Sequence, residues 1–292
     1  MAVKTNLLIL PSVSNIEEIA EDNSSNIKSI KGSYRNLEFR FKGSKVCLVH
    51  LGIDIKNFSA VWLSSFWESR DLAYAVKLYL DYFKTPHTYV EKSTSKITDQ
   101  MSFVFNNILI PDTFFADTHN FINYIEEIEK TCGYLFIIKD TKGSRGKYSA
   151  YIKNRKELLK KMPKLPKHRK YFFQKFISND FDWGVLVANG KAISAEKSYP
   201  KDNEFRNNTC NGAKEIFVKI EDVPKTIKDM AVKASKALNL SWSRSDIIID
   251  KNSNIPYMLE VNRCPGITSE TSEIYGAQQF LKAYLNLISD KI

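Results

Sequence analysis

Three oxygen-bearing side chains near the C-terminal end of the sequence, Asp246, Glu260 and Asn262, are spaced to meet at one patch. Glu260 and Asn262 stand two residues apart, so on a strand both point to the same face. Ile247-Ile248-Ile249 is a short β-branched run, Asp250 to Asn254 is turn chemistry, and Ile255 to Val261 returns as a second strand. Asp246 then sits just before the first strand, and folding the hairpin about Asn252 brings it to the Glu260/Asn262 end. Pro265-Gly266 breaks the strand immediately after. Hard oxygens with no imidazole or thiolate are what Mg²⁺ prefers, usually shared with substrate phosphates. Taken alone, the stretch reads equally well as a hairpin with solvated charged ends.

Two further clusters are cationic. Tyr134 to Lys139 reads as a hydrophobic strand ending in lysine, and it runs into a loop containing Lys142, Gly143, Ser144 and Gly146. There Lys139 can face phosphate oxygens, and the glycines let backbone N–H groups approach phosphate closely. The P-loop pattern is absent, and an ordinary basic loop tip is the alternative. In Phe205-Arg206-Asn207-Asn208, followed by Gly212-Ala213, an arginine among asparagines can neutralise a transferring phosphoryl group or a developing oxyanion. The alternative is a polar surface loop. Arg155 to Lys170 is strongly basic with Glu157 as its one acid, a solvated helix face or a dock for an acidic peptide tail.

The elements that must position these groups follow from periodicity. Asn6 to Leu10 is a buried strand stopped by Pro11, and Ile16 to Ala20 begins a short amphipathic helix. Ser24 to Lys45 is polar and basic, with Leu37 to Phe41 alternating as a strand; Val46 to His50 and Phe58 to Trp62 are further strands. Arg70 to Phe83 carries Leu72, Ala75, Val76, Tyr79, Leu80 and Phe83 at helical spacing. Strands alternating with helices make the first 94 residues a small α/β unit, without a glycine-rich dinucleotide fingerprint. Ser95 to Asn107 and Asn120 to Thr131 read as helices, Tyr148 to Lys153 as a strand, Arg155 to Lys170 as a helix and linker, and Tyr171 to Ile177 as a strand. Asp182 to Val187 and Ala192 to Lys197 form a hairpin about Asn189-Gly190. Ile227 to Leu238 and Glu273 to Ile288 are helices.

The bulk numbers bound the partners. A chain of 292 residues, 43% hydrophobic and 26% charged, suits a soluble globular protein of about two domains. A net charge of +10 favours anionic partners without choosing among them. No window reaches eighteen apolar residues and the start lacks a signal-peptide pattern, so no membrane association and a cytoplasmic location are expected. Cys47, Cys132, Cys210 and Cys264 are scattered and read as reduced thiols, and no zinc-ligand spacing occurs. No nucleic-acid-binding pattern appears, which disfavours that partner.

From Lys96 to Thr268 the chain resembles the ATP-grasp superfamily, most closely the RimK-type carboxylate–amine ligases. The matching residues run in family order: Lys96 on a helix; Pro111-Asp112-Thr113; Lys139 with Lys142, Gly143, Ser144 and Gly146; the hinge Gln174-Lys175-Phe176-Ile177; Asp182; Phe205-Arg206-Asn207-Asn208 with Gly212; and Asp246 with Glu260-Val261-Asn262 and Pro265-Gly266. The resemblance implies an α/β (α+β) ATP-grasp fold with a preceding unit at 1–94, a lid at 95–174 and a catalytic part at 175–292. It implies ATP and two Mg²⁺ ions, with Mn²⁺ as an alternative, the metals on Asp246, Glu260 and Asn262. Lys96, Lys139, the lid, the hinge and Asp182 would bind nucleotide, with Arg206 and Asn208 as catalytic residues. The implied reaction joins the carboxylate of a peptide, protein or amino acid to an amine through an acyl phosphate. A small-molecule kinase and a non-enzymatic basic binding protein are the alternatives, and a homo-oligomer is left open. Three positions depart from the pattern. Lys175 stands where an acid is usual, Gly184 replaces an arginine two residues after Asp182, and no arginine stands near Ser198. These arginines tend to serve the acyl substrate.

Overall fold

The computed structural model describes residues 5–15, 19, 27–88, 95–116, 118–143, 146, 148–201 and 212–289. The expected helix at Ile16–Ala20 therefore lies outside the described residues except for Ile19, and so do Ser144, Arg206 and Asn208.

The N-terminal part contains β1 (Thr5–Leu10), β2 (Ile27–Lys31), β3 (Leu37–Lys42), β4 (Lys45–His50), β5 (Ile53–Asp54) and β6 (Ala60–Leu63). β1 pairs in parallel with β2 on one side and β6 on the other, while β3, β4 and β5 form an antiparallel meander. Leu7 to Leu10 are fully buried because a parallel sheet is covered on both faces. Leu8 and Leu10 pack with Ala73, Val76 and Leu80 of the helix Arg70–Tyr82. Leu7, Ile9 and Trp62 instead join Trp242 and Phe280 from the C-terminal part. β2 lies in the stretch expected to be merely polar and basic. As an edge strand with only alternate residues covered, it shows no apolar run in sequence.

The second sheet has the order β7 (Thr113–Phe114), β10 (Tyr171–Lys175), β8 (Phe136–Asp140), β9 (Ala150–Ile152), all antiparallel. Its apolar face, with Phe136, Ile138, Ile152, Tyr171 and Phe173, packs on Ile125, Ile128, Leu158 and Met162. Two expected helices are shorter than the periodicity implies. Residues Thr118–Tyr124 form a 3-10 segment ahead of the helix Ile125–Cys132. The basic helix ends at Lys161, because Pro163 and Pro166 cannot donate the hydrogen bonds that would continue it.

The third sheet has the order β13 (Lys214–Val218), β12 (Lys191–Tyr199), β11 (Asp182–Ala188), β14 (Trp242–Ile249), β15 (Pro256–Asn262), again antiparallel. Asn189 and Gly190 both have positive φ, 47° and 74°, as the hairpin signal required. Trp183, Val185, Val187, Ile247, Met258 and Val261 form its apolar face, covered by Ile227, Ala231 and Ala234 of the helix Lys225–Ala237. β14 begins at Trp242, so Asp246 lies inside the strand and not before it. Ser243 and Ser245, which break the apolar pattern, are buried against that helix: Ser243 Oγ lies 2.9 Å from Ser235 Oγ. On the third sheet's other face, Leu186, Ala188 and Trp242 pack with Trp62 and Phe280, while Asp182, Asp246 and Glu260 lie within electrostatic reach of Lys139 on the second sheet, across a cleft.

Candidate active site

Strand pairing builds the anionic wall. Glu196, Gly184, Asp246 and Glu260 are direct neighbours across β12, β11, β14 and β15. One step along, Arg244 pairs with Asn262, and in the other direction Asp182 pairs with Ser198. Period-two alternation puts all of them on the face away from the apolar core. Asn262 Nδ2 donates to Asp246 Oδ2 at 3.0 Å. The three expected metal residues are thus brought together.

Lys96 meets this row from the other side, its Nζ 2.5 Å from Glu260 Oε2. It is the first residue of the helix Lys96–Phe105, whose start is fixed by a capping box between Ser95 and Thr98. One face of that helix is clamped to the end of β15. Asp99 accepts two hydrogen bonds from Arg263, at 2.6 and 2.8 Å, both side chains being nearly fully buried. Gln100 Nε2 donates to the Leu259 carbonyl at 3.1 Å. A residue three positions before Asp99 lies on the same helix face, which carries Lys96 to Glu260.

The cationic wall comes from the second sheet. Lys139 Nζ donates to Gln174 Oε1 at 2.7 Å, and Gln174 Nε2 donates to Thr113 Oγ1 at 2.9 Å, so Gln174 holds the lysine in place. After Lys139 the chain turns: Lys142 N and Gly143 N both donate to Asp140, and Gly146 takes φ +65°. Asp140 is braced by Arg169 at 2.6 Å. Lys142 is half-exposed, with Nζ 3.9 Å from Asp71. In the hinge segment, Lys175 is exposed and pairs with Asp112 at 3.2 Å, Phe176 packs edge-on against Tyr151, and Ile177 is buried.

The electrostatics show two walls of opposite sign in want of an intervening group. Burial, then Glu260 beside it, push the Asp246 carboxyl well above the usual carboxylate range. Burial pushes Glu260 the same way, but Lys96, then Lys139 and Arg263, outweigh it and hold it below its ordinary value. Burial and the neighbouring Lys96 lower Lys139 to about 8, against the pull of Glu260, Asp182 and Asp246. Two adjacent carboxylates and an amide on rigid strands, mutually repelling without a cation, are a donor set that fits Mg²⁺. Among the described residues no group of three or more His, Cys, Asp or Glu forms a metal cluster. The set here is two carboxylates and an amide.

The sequence reading missed a second layer. Arg244 Nη1 lies 3.3 Å from Glu196 Oε1, and its Nη2 bonds Glu273 and, at 2.9 Å, the Gly266 carbonyl. Glu196 and Glu273 are both buried. Burial pushes the Glu196 carboxyl up to about 7, with Arg244 opposing. Arg244 was readable, being two residues before Asp246 and so on the same face. Glu196 carries no local signal, because only the β11–β12 register brings it to the cleft.

The model of the RimK-like ATP-grasp domain matches residues 98–283. The chain is 31% identical over 146 residues to a D-alanine–D-alanine ligase of Clostridium beijerinckii, covering 48% of each chain. It is 28% identical over 181 residues to a probable α-L-glutamate ligase of Halorhodospira halophila, covering 61% of this chain and 58% of that one. It therefore spans about half the length of such relatives. Among solved structures, the VanG D-Ala:D-Ser ligase of Enterococcus faecalis superposes with a TM-score of 0.71 at 15% identity, over 98% of this chain and 99% of that one. The ATP-grasp ligase PsnB with its minimal precursor superposes at 0.64 and 15% identity, over 97% and 99%. With a family model covering well over half of its length and a matching fold, the chain belongs to the RimK-like ATP-grasp family.

Proposed function

We propose that the chain is an ATP-dependent ligase that joins a carboxylate to an amine, acting on an amino acid, a peptide or a protein tail. The observation that carries this reading is the junction at Glu260, where a rigid carboxylate pair meets Lys96 and faces Lys139 across the cleft. The division into a preceding unit (1–94), a lid (95–174) and a catalytic part (175–292) belongs to the same proposal.

In this reading Lys96, Lys139 and Lys142 neutralise ATP phosphate oxygens, and the backbone of Gly143, Ser144 and Gly146 closes over them. Gln174 to Ile177 and Asp182 border the nucleotide. Asp246, Glu260 and Asn262 would hold Mg²⁺, two ions in all, which when bound supplies charge neutralisation at the β- and γ-phosphates. The substrate carboxylate oxygen attacks the γ-phosphorus and ADP leaves, giving an acyl phosphate. The amine then attacks the acyl carbon, loses a proton, and expels phosphate. Arg206 stabilises the transferring phosphoryl group and the tetrahedral oxyanion, and Asn208 supports a phosphate or a metal. Arg244, on the strand that carries Asp246, adds a second positive charge on the acyl side. The closed lid keeps water from hydrolysing the acyl phosphate.

The test is to supply the pure protein with ATP and Mg²⁺ against amino acids and carboxylate-bearing peptides, reading phosphate release and hydroxamate formation with hydroxylamine. Carboxylate-dependent ATP consumption with hydroxamate supports the ligase. Phosphorylation of a hydroxyl without hydroxamate would mark a kinase, and no nucleotide turnover at all would leave a basic binding protein. The named relatives are ligases of alanine and glutamate, so those two amino acids come first in the screen.

A further inference from the structure

The cleft face of the third sheet carries more negative charge than its described cations answer. Glu260 is matched by Lys96 at 2.5 Å. Arg244 alone serves both Glu196 and Glu273, and Glu215 on β13 feels the same guanidinium. Glu196 is 2% exposed, and its Oε1 faces Arg244. Its Oε2 has no hydrogen-bond partner among the described residues. A buried carboxylate oxygen without a donor is costly and uncommon.

Gly184 explains where that carboxylate points. A Cβ built on Gly184 would stand 1.9 Å from Glu196 Oε1 and 3.1 Å from Oε2. The carboxylate therefore lies over Gly184, in the space any other side chain would fill, and Gly184 is the residue paired with Asp246. Two of the cleft-face positions near it, 184 and 198, are glycine and serine, so neither side chain brings a positive charge. An aliphatic amine in neutral water arrives as an ammonium ion, a compact cation with three donors and no acceptor. It is the complement of an unpartnered buried carboxylate next to a fixed guanidinium.

We propose that Glu196, admitted over the cleft by Gly184, is the residue that recognises the ammonium group of the amine substrate and so selects a cationic acceptor. This rests on the ligase reading above. Gly184 is the matching specificity position, because any larger side chain there displaces the carboxylate. Arg244 orients Glu196 through Oε1 and opposes the upward push of burial on its carboxyl, and does not occupy Oε2.

The experiment compares two acceptors on the wild-type protein and on Glu196→Gln, Glu196→Asp and Gly184→Ala. Hydroxylamine is uncharged near pH 7.5 and needs no ammonium site; alanine, glutamate and lysine are the cationic acceptors. The carboxylate donors are the N-acetylated amino acids supplied together and an N-acetylated peptide ending in glutamate, so that the tested acceptor is the one free amine present. The readout is the ratio of kcat/KM for cationic amine to that for hydroxylamine. The expected result is a fall in this ratio of at least about tenfold in Glu196→Gln and Gly184→Ala, through the KM of the amine, with partial recovery in Glu196→Asp. An unchanged ratio, or an equal loss with both acceptors, overturns the proposal and leaves Glu196 as a structural partner of Arg244. Absence of hydroxamate from the wild-type protein overturns the ligase reading itself, and this assignment with it.

Discussion

The two antiparallel sheets that border the cleft are built on one plan and charged with opposite sign. Each buries an apolar face on helices, the four-stranded sheet through Phe136, Ile138 and Phe173 and the five-stranded sheet through Val185, Ile247 and Val261. Part of each sheet's other face borders the cleft, the rest of the five-stranded sheet's being covered through Leu186, Ala188 and Trp242. At the cleft the four-stranded sheet presents Lys139, and the five-stranded sheet presents Asp182, Glu196, Asp246 and Glu260. Glu196, Asp246 and Glu260 stand in the interior of β12, β14 and β15, and Asp182 opens β11, where Asn179 Nδ2 donates to its Oδ1 at 2.7 Å. The lysine is one residue from the end of its strand and needs Gln174 to hold it. Both walls are under electrostatic strain: Asp246 is pushed up by burial and by Glu260, and Lys139 is pushed down by burial and by Lys96. The contrast separates two jobs. In the proposed ligase the rigid wall would fix where the metal and the reacting carbon sit, and the wall bearing Lys139 would supply charge that is completed only when phosphate arrives.

The most severe way to break this contrast is to remove charge from the rigid wall. Glu260→Gln is expected to abolish ATP turnover while circular dichroism and the unfolding midpoint report an intact fold; an undiminished rate of phosphate release would sink the metal assignment. Next comes the clamp that locks the helix bearing Lys96 to the end of β15. Arg263→Met leaves Asp99 buried, with Arg70 3.8 Å away among its remaining ion-pair partners. The expected loss is about 3–5 kcal/mol in urea unfolding, accompanied by a higher KM for ATP as Lys96 is released from Glu260.

Charge removed from the lid wall should have a smaller effect. Lys139→Met is expected to raise the KM for ATP by roughly ten- to a hundredfold, the worth of about 1.5–3 kcal/mol for a hydrogen bond to a charged group, and to raise stability below pH 8, because a buried charge is removed. The smallest effect is on pH dependence. Lys139 titrates near 8 in the folded chain against an ordinary 10.5, so between those values the unfolded chain binds more protons. This residue's penalty on folding is therefore fully present below about pH 8, and its contribution to stability rises as pH climbs through that window. ATP phosphate restores the charge, so nucleotide binding should take up a proton near pH 8 to 9 and weaken above it. Calorimetry in two buffers of different ionisation enthalpy measures the uptake, and Lys139→Met should abolish it.

Much of the site was legible because its signals are short-range. Glu260 and Asn262 share a face by period two, the Asn189-Gly190 turn sets the β11–β12 register, and Ser95 with Thr98 caps the helix that bears Lys96. The placement of Asp246 before its strand was wrong, because Ser243 and Ser245 interrupt the apolar pattern while being buried against the helix Lys225–Ala237. β2 and β13 were missed because edge strands are covered on alternate residues only and need no apolar run. The hinge glutamine, expected to border nucleotide, shows a further job that no local pattern announces: it fixes Lys139.

The chain's order of residues determined which chemical groups are available and which neighbours along a strand or helix share a face, since both follow from the two local repeat lengths of the backbone. Tertiary structure alone decided which faces meet. Lys96 reaches Glu260 across a sequence separation of 164 only because Asp99 and Arg263 lock a helix to a strand end at that same separation. Glu196 reaches the cleft only because Gly184, on the neighbouring strand, leaves its side of the sheet empty. Contacts of that kind depend on register and packing between distant segments, which carry no signature in the residues that make them.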